Sequence, residues 1–168
     1  MVEDQYKTIL EETIGEGYYT EKRSKFLAFA HHIESVDEAK ELVIAYRKQY
    51  YDARHCCYAY MLGPEQKAFR ANDDGEPSST AGKPILGQIN SAGLTDILSH
   101  ELTDVIVFVI RYFGGVKLGT SGLINAYRTA ANEALSNASV VVKLVEETID
   151  FDFTYPMMND VMRVVKEM

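Results

Sequence analysis

The sequence predicts an α/β fold, a β-sheet covered by helices, and three stretches carry that prediction. Val105 to Ile110 is the most apolar run in the chain, β-branched and aromatic, with the composition of a buried strand. It leads through a glycine-rich passage, Arg111-Tyr-Phe-Gly-Gly-Val-Lys-Leu-Gly-Thr-Ser-Gly122, into a segment where Leu123, Tyr127, Ala130 and Ala134 recur at helical spacing. Ser35-Val-Asp-Glu38 has the form of a capping box, in which a Ser hydroxyl takes an amide three residues on and the Glu reaches back. The helix it opens extends to about Tyr50, with Val36, Ala39, Val43, Tyr46 and Tyr50 as its stripe.

The remaining elements follow in chain order. Residues 1–16 are polar and acidic and read as an arm or edge strand. Tyr18-Tyr19 and Ser24 to Ile33 read as strands, joined by a turn at Glu21-Lys-Arg23. Ala53 to Leu62 and Lys67 to Ala71 form a hairpin across Gly63-Pro64. Asn72 to Gly82 is a loop of turn-forming residues, and Pro84 suits the first position of a helix from Ile85 to about Ser91, where a missing amide costs little. A polar connection, Thr95 to Thr103, leads to the apolar strand. Val140 to Val145 and Thr148 to Phe153 read as strand, broken by Glu146-Glu147, and Met157 to Met168 as helix. A strand and a helix following a complete-looking first domain of 1–139 read as the opening of a second, incomplete domain over 140–168, with the boundary near Ser139; the alternative is that this tail packs on the first domain or on a neighbouring molecule.

Composition narrows the function classes. The 168 residues, 46% hydrophobic and 25% charged, suffice for one domain with a sizeable core. A net charge of −8 argues against a protein coated in nucleic-acid- or membrane-binding charge. No apolar run approaches the ~20 residues that span a bilayer, and Met1-Val-Glu-Asp4 lacks the pattern of a signal peptide. Cys56 and Cys57 are adjacent and offer neither a disulfide framework nor a zinc pair. The expectation is a reduced, cytoplasmic protein with no membrane partner.

Against that acidic background, Val105 to Asn132 contains no Asp or Glu and includes Arg111, Lys117 and Arg128. Strand, glycine loop and helix start suit anion binding, because the first helical amides lack partners and the dipole's positive end faces the loop. The candidate phosphate contacts are Arg111, Gly114, Gly115, Lys117, Gly119, Thr120, Ser121, Gly122 and Arg128. Gly114 and Gly119 have the spacing of a Walker loop, but Thr120 stands where its lysine would be, and no dinucleotide fingerprint is present. Leu118-Gly-Thr-Ser-Gly-Leu123 is more similar to the phosphate loop of the GHMP kinases. The alternative is that the glycines serve a tight turn and close helix–sheet packing.

Asp73, Asp74 and Glu76 could hold Mg2+, act in acid–base chemistry, or simply be solvated turn residues. Ser78, Ser79, Thr80, Gly82 and Lys83 then lead into a second helix start, so the two starts could line one cleft. In Arg54-His-Cys-Cys57, strand alternation puts His55 and Cys57 on one face and Cys56 and Tyr58 on the other. His55 reads as an exposed binding residue and the cysteines as small core residues rather than nucleophiles. His31, His32 and His100 show no metal spacing. Tyr112 beside Arg111 and Tyr127 beside Arg128 could stack bases, or be buried tyrosines.

Asp73-Asp-Gly-Glu-Pro-Ser78, Thr80-Ala-Gly-Lys-Pro-Ile-Leu86 and Arg111 to Gly119, followed by Gly122-Leu and Ala126-Tyr127, resemble the signature of the IMPACT (YigZ) family. Arg54 to Tyr60 and Ser24-Lys-Phe26 resemble its earlier blocks, so the likeness covers about residues 17–138. Ser79 and Ser121 stand where that pattern has glycine, and serine disfavours a positive φ.

The resemblance implies a two-layer sheet-and-helix domain of the ribosomal-protein and elongation-factor type, the fold also of the GHMP kinases. It further implies a ferredoxin-like second domain, of which this chain carries the first strand and helix. Eukaryotic members of the family are regulators of translation initiation under amino-acid stress, acting through protein partners. Nucleic-acid or phosphate-ligand binding has been proposed for the bacterial branch. Some members carry a peptidase label that no metal constellation here supports.

The expectation is a non-enzymatic, translation-associated protein that binds RNA, the ribosome or another phosphate-bearing partner. In it, Arg111, Lys117 and the helix amides, helped by Lys83 and His55, contact phosphate, and Asp73, Asp74 and Glu76 fix the loop or hold a cation. The alternatives are an enzyme acting on a small phosphorylated or nucleotide substrate with magnesium, and a purely protein-binding regulator.

Overall fold

The computed structural model describes residues 5–63, 68–91 and 102–144. In chain order the elements are β1 (Gln5–Ile9), β2 (Ile14–Glu21), β3 (Ser24–His32), α1 (Val36–Gln49), β4 (His55–Leu62), β5 (Ala68–Asn72), α2 (Gly82–Ser91), β6 (Val105–Tyr112), α3 (Gly119–Ser136) and β7 (Val140–Leu144). Five strands form one antiparallel sheet in the order β2-β3-β6-β4-β5, and β1 pairs with β7 in a separate two-stranded ribbon.

The apolar run of β6 takes the centre of the large sheet, with every residue from Val105 to Arg111 buried. A strand buried on both faces needs cover on both, and the helices supply it. On one face α2 and α3 pack through Ile85, Ile89, Leu123, Tyr127, Ala130 and Ala134 against Phe26, Cys57 and Val109. On the other, α1 places Ala39, Val43 and Tyr46 against Cys56, Tyr58, Ile106 and Phe108. The α/β sheet-and-helix fold is as the sequence predicts, with a helix layer on each side of the sheet where two layers in all were expected.

Local signals account for most boundaries. Ser35 caps α1 by accepting the amide of Glu38 at 3.1 Å. Lys22 and Arg23 both hold positive φ, +47° and +70°, as a two-residue hairpin of the twist-matched type requires. Strand β2 begins at Ile14, four residues before the expected strand at Tyr18, because Gly15 and Gly17 lie under α3. A Cβ on Gly15 would sit 2.2 Å from the Ala134 carbonyl oxygen, and one on Gly17 2.6 Å from the Ala134 nitrogen. These glycines are contact points for a helix rather than turn formers.

The expected strand at Val140 forms and pairs with β1, Gln5 opposite Leu144 and Ile9 opposite Val140. The strand at 148–153, the helix at 157–168 and most of the connection at 95–103 lie outside the described residues, as does His100.

Candidate anion-binding cleft

Arg111 stands near the end of the central strand, directly opposite Phe26 on β3 and His55 on β4. Its side chain lies on the α3 side of the sheet and is only 5% exposed, with its guanidinium over the rings of Phe26 and Phe113. A buried cation requires a buried anion, and Glu76 provides it. The Glu76 carboxylate, 3% exposed, accepts from Arg111 Nη1 at 2.7 Å and from the Tyr127 hydroxyl at 2.5 Å. His55 Nε2 lies 3.3 Å from the other carboxylate oxygen, while His55 Nδ1 donates to the Asp74 carbonyl at 2.8 Å. The His55–Glu76 contact is therefore an ion pair when both ring nitrogens carry protons. Ser24 Oγ meets Arg111 Nη2 at 3.3 Å, whereas Arg111 Nε has no partner among the described residues.

The loop that delivers Glu76 is fixed by its two neighbouring carboxylates, which turn away from each other. Asp73 accepts the amides of Ser79, Ala81 and Gly82 at 2.8–3.1 Å, capping α2 from outside the helix. That cap starts α2 at Gly82 rather than at Pro84, and Pro84 remains in the first turn where its missing amide does no harm. Asp74 takes the Cys56 amide at 2.6 Å and pairs with Arg47 at 3.0 Å. All three carboxylates thus serve the loop and the core, and they do not converge on a shared ion position.

Ser79, one of the two serines at glycine positions, holds a φ of +67°; Ser121 is helical. A left-handed serine is strained by about 1–2 kcal/mol, part of which glycine returns through its freer unfolded chain. Ser79→Gly is expected to stabilise the fold by about 0.5–1 kcal/mol. A thermal midpoint that does not rise would contradict that strain.

Around this network lies a cleft of about 360 Å³, lined by Arg54, His55, Glu76, Pro77, Arg111, Phe113 and the stretch from Lys117 to Thr120. The N-terminus of α3 opens beside it with no side-chain cap and no acidic residue in its first turn. Four basic side chains therefore face one carboxylate, which is itself engaged with Arg111. Arg54 lies over the Phe113 ring at 4.8 Å, so a flat aromatic surface adjoins the cations.

The structure thus gathers Arg111, Lys117, Gly119, Thr120 and His55 around one cleft with Glu76, and leaves other expected residues elsewhere. Lys83 and Arg128 are exposed on α2 and α3 and do not line it; Arg128 bonds Asn125 at 3.3 Å. Gly114 packs on the backbone of Arg23, where a Cβ would come within 2.1 Å. Gly115 and Gly119 hold positive φ, +93° and +76°, and Ser121 and Gly122 belong to the first turn of α3. The second helix start, that of α2, is capped by Asp73 and contributes no lining; its block enters the cleft through Glu76 and Pro77.

Tyr127 is buried against the carboxylate rather than stacked beside Arg128, and burial pushes its hydroxyl far above the usual range. Burial likewise pushes the Cys56 thiol up to about 12 and raises Cys57, which donates to the Asp73 carbonyl at 3.1 Å. Both thiols stay protonated, as core residues. Arg54 and Phe113 are the participants that sequence reasoning did not place in the site, and of the two Arg54 had a local signal, its position beside His55; Tyr127 takes the buried one of its two expected readings.

Residues 22–135 match the Impact N-terminal domain. The chain is 33% identical over 153 residues to the IMPACT family member YvyE of Bacillus subtilis, covering 91% of this chain and 67% of that protein. It is 38% identical over 136 residues to YigZ of Escherichia coli, covering 79% and 63%. An IMPACT family member of Thermus thermophilus is 42% identical over 135 residues, covering 80% and 68%. A crystal structure of a hypothetical protein superposes with a TM-score of 0.75 at 31% identity, over 84% of this chain and 65% of its own. The matched part therefore spans about two thirds of the length of these relatives. The motifs at Asp73 to Leu86 and Arg111 to Gly119 that build the cleft and its supporting loop lie inside the matched span, and the chain belongs to the IMPACT family.

Proposed function

We propose that this chain is a non-enzymatic, translation-associated binding protein whose cleft takes a phosphate group of RNA or of another phosphate-bearing partner. The observation that carries the reading is the meeting of the uncapped α3 N-terminus with Lys117, Arg54 and Arg111, whose Nε is unpartnered among the described residues, in an otherwise acidic protein. Unpaired amides and a helix dipole favour an anion, and arginine and lysine together favour a phosphate. The exposed Arg54 guanidinium, held over the Phe113 ring, offers a plane on which one base can stack. A volume of about 360 Å³ admits a phosphate with one ring, which favours single-stranded over duplex RNA. The translation setting rests on the resemblance to a family whose eukaryotic members regulate initiation. Residues 140–168, read as the start of a ferredoxin-like domain, belong to the same proposal.

The test is binding of fluorescent single-stranded RNA across a salt series. Lys117→Ala together with Arg54→Ala is expected to weaken binding and flatten the salt dependence, by about 0.7 in logarithmic slope for each phosphate no longer neutralised. Both residues are exposed, so the fold should survive. Unchanged affinity in the double variant would overturn the reading. Partner capture that persists after nuclease treatment and in that variant would instead favour a protein-binding role.

A further inference from the structure

A second cluster lies away from the cleft, where the turn after β1, the end of β3 and the connection to α1 meet. Glu11, His32 and Glu34 each present one ligand atom there, all within 4.8 Å of one another. The His32 side chain is only 6% exposed, whereas Glu11 and Glu34 are 53% and 64% exposed.

Hydrogen-bond direction decides what His32 offers. The Thr8 hydroxyl has a single proton, which it donates to the Asp104 carbonyl at 3.0 Å. Its 2.9 Å bond with His32 Nδ1 must then be donated by the ring. In the neutral imidazole, Nε2 is left with a lone pair, aimed at Glu34 Oε2 at 3.0 Å and Glu11 Oε1 at 3.8 Å. Lys143 Nζ donates to that Glu11 oxygen at 2.5 Å, but the Nε2 lone pair and the Glu34 carboxylate would face each other with no donor between them. A buried imidazole held by an Nδ1–H bond, with its Nε2 lone pair turned on two carboxylates, is the arrangement of a metal ligand with its outer-shell partner.

We propose that Glu11, His32 and Glu34 bind a divalent transition-metal ion of the zinc class. One imidazole nitrogen and two carboxylate oxygens suit zinc better than magnesium or calcium, which prefer oxygen alone. Water completes the coordination on the exposed side. The ion ties the β1–β2 connection to the end of β3, and so fastens the two-stranded ribbon to the large sheet. Lys143 on β7 competes with it, because its ammonium lies 2.5 Å from the same Glu11 oxygen.

The experiment is titration of the EDTA-stripped full chain with Zn2+ by calorimetry, with Co2+ as a spectroscopic probe. One ion per chain is expected. Glu34→Gln should weaken binding at least about tenfold, and Thr8→Val, which frees the ring nitrogen, by about 10–100-fold. Lys143→Ala should tighten binding about two- to fivefold, the worth of an exposed ion pair; a purely structural role for these residues predicts no such opposite effect. Circular dichroism of the metal-free variants checks their folding, and Glu34→Gln, at an exposed side chain, keeps the test open if Thr8→Val unfolds. No zinc binding, binding indifferent to Glu34→Gln, or an intense thiolate-to-cobalt charge-transfer band, which would place the ion on the cysteines, each overturns the proposal. In the first of these outcomes the three side chains are simply a polar cluster beside Thr8 and Lys143.

Discussion

Replacing Glu76 with alanine is expected to destabilise the protein by about 3–5 kcal/mol, the cost of leaving a buried charge without its partner. Among the described residues Glu76 is the carboxylate that pairs with Arg111, at 2.7 Å, and both side chains are at most 5% exposed. The substitution also strips the Tyr127 hydroxyl of its acceptor and removes the carboxylate beside His55 Nε2. Urea unfolding measures the loss. Glu76→Gln keeps the shape and one acceptor oxygen and should lose less. Removing both charges, as Glu76→Gln with Arg111→Met, should be milder than the sum of the single changes, because apolar replacement of a whole buried pair is often near neutral. A loss below about 1 kcal/mol in Glu76→Ala would show that water reaches Arg111 freely.

The second large effect is expected at Gly15. An added Cβ would lie 2.2 Å from the Ala134 carbonyl oxygen and 2.7 Å from the Ala138 Cβ, so backbone as well as side chain would have to move. Gly15→Ala is expected to cost about 3 kcal/mol, at the upper end of overpacking effects. Gly87→Ala is the control, since a Cβ there meets nothing within 4 Å. The same unfolding series measures both, and equal stability of the two variants would mean that α3 can lift from β2.

Much of the fold was legible in the sequence because its signals are local. The run Val105 to Ile110 announces a central strand, and the stripe Leu123, Tyr127, Ala130, Ala134 announces the helix that covers it. The Ser35 cap and the Lys22-Arg23 turn were readable for the same reason. Gly15 and Gly17 were not, because a glycine in sequence signals a turn and only a helix from the far end of the domain makes it a strand residue. The β1–β7 pairing has no local signature either, since its partners are separated by almost the whole described chain.

The site divides along the same line. The glycine loop and the basic residues around it could be read, as could the importance of Asp73 to Glu76. Their roles could not, because neighbours in sequence point in different directions once the loop folds. Asp73 reaches forward to cap α2, Asp74 reaches back to β4 and α1, and Glu76 turns inward to Arg111. Arg111 looked like a phosphate contact, yet its first partner is the Glu76 carboxylate.

The ribbon of β1 and β7 also shapes how the domain would answer a pull. Gln5 and Leu144 face each other at one end of an antiparallel ladder, and Ile9 and Val140 at the other. Tension applied through residues 5 and 144 would meet the ladder one rung at a time, as in opening a zipper, instead of loading all rungs together in shear. The ribbon would part at low force. The five-stranded sheet, which shares no ladder with it, would carry the load only afterwards.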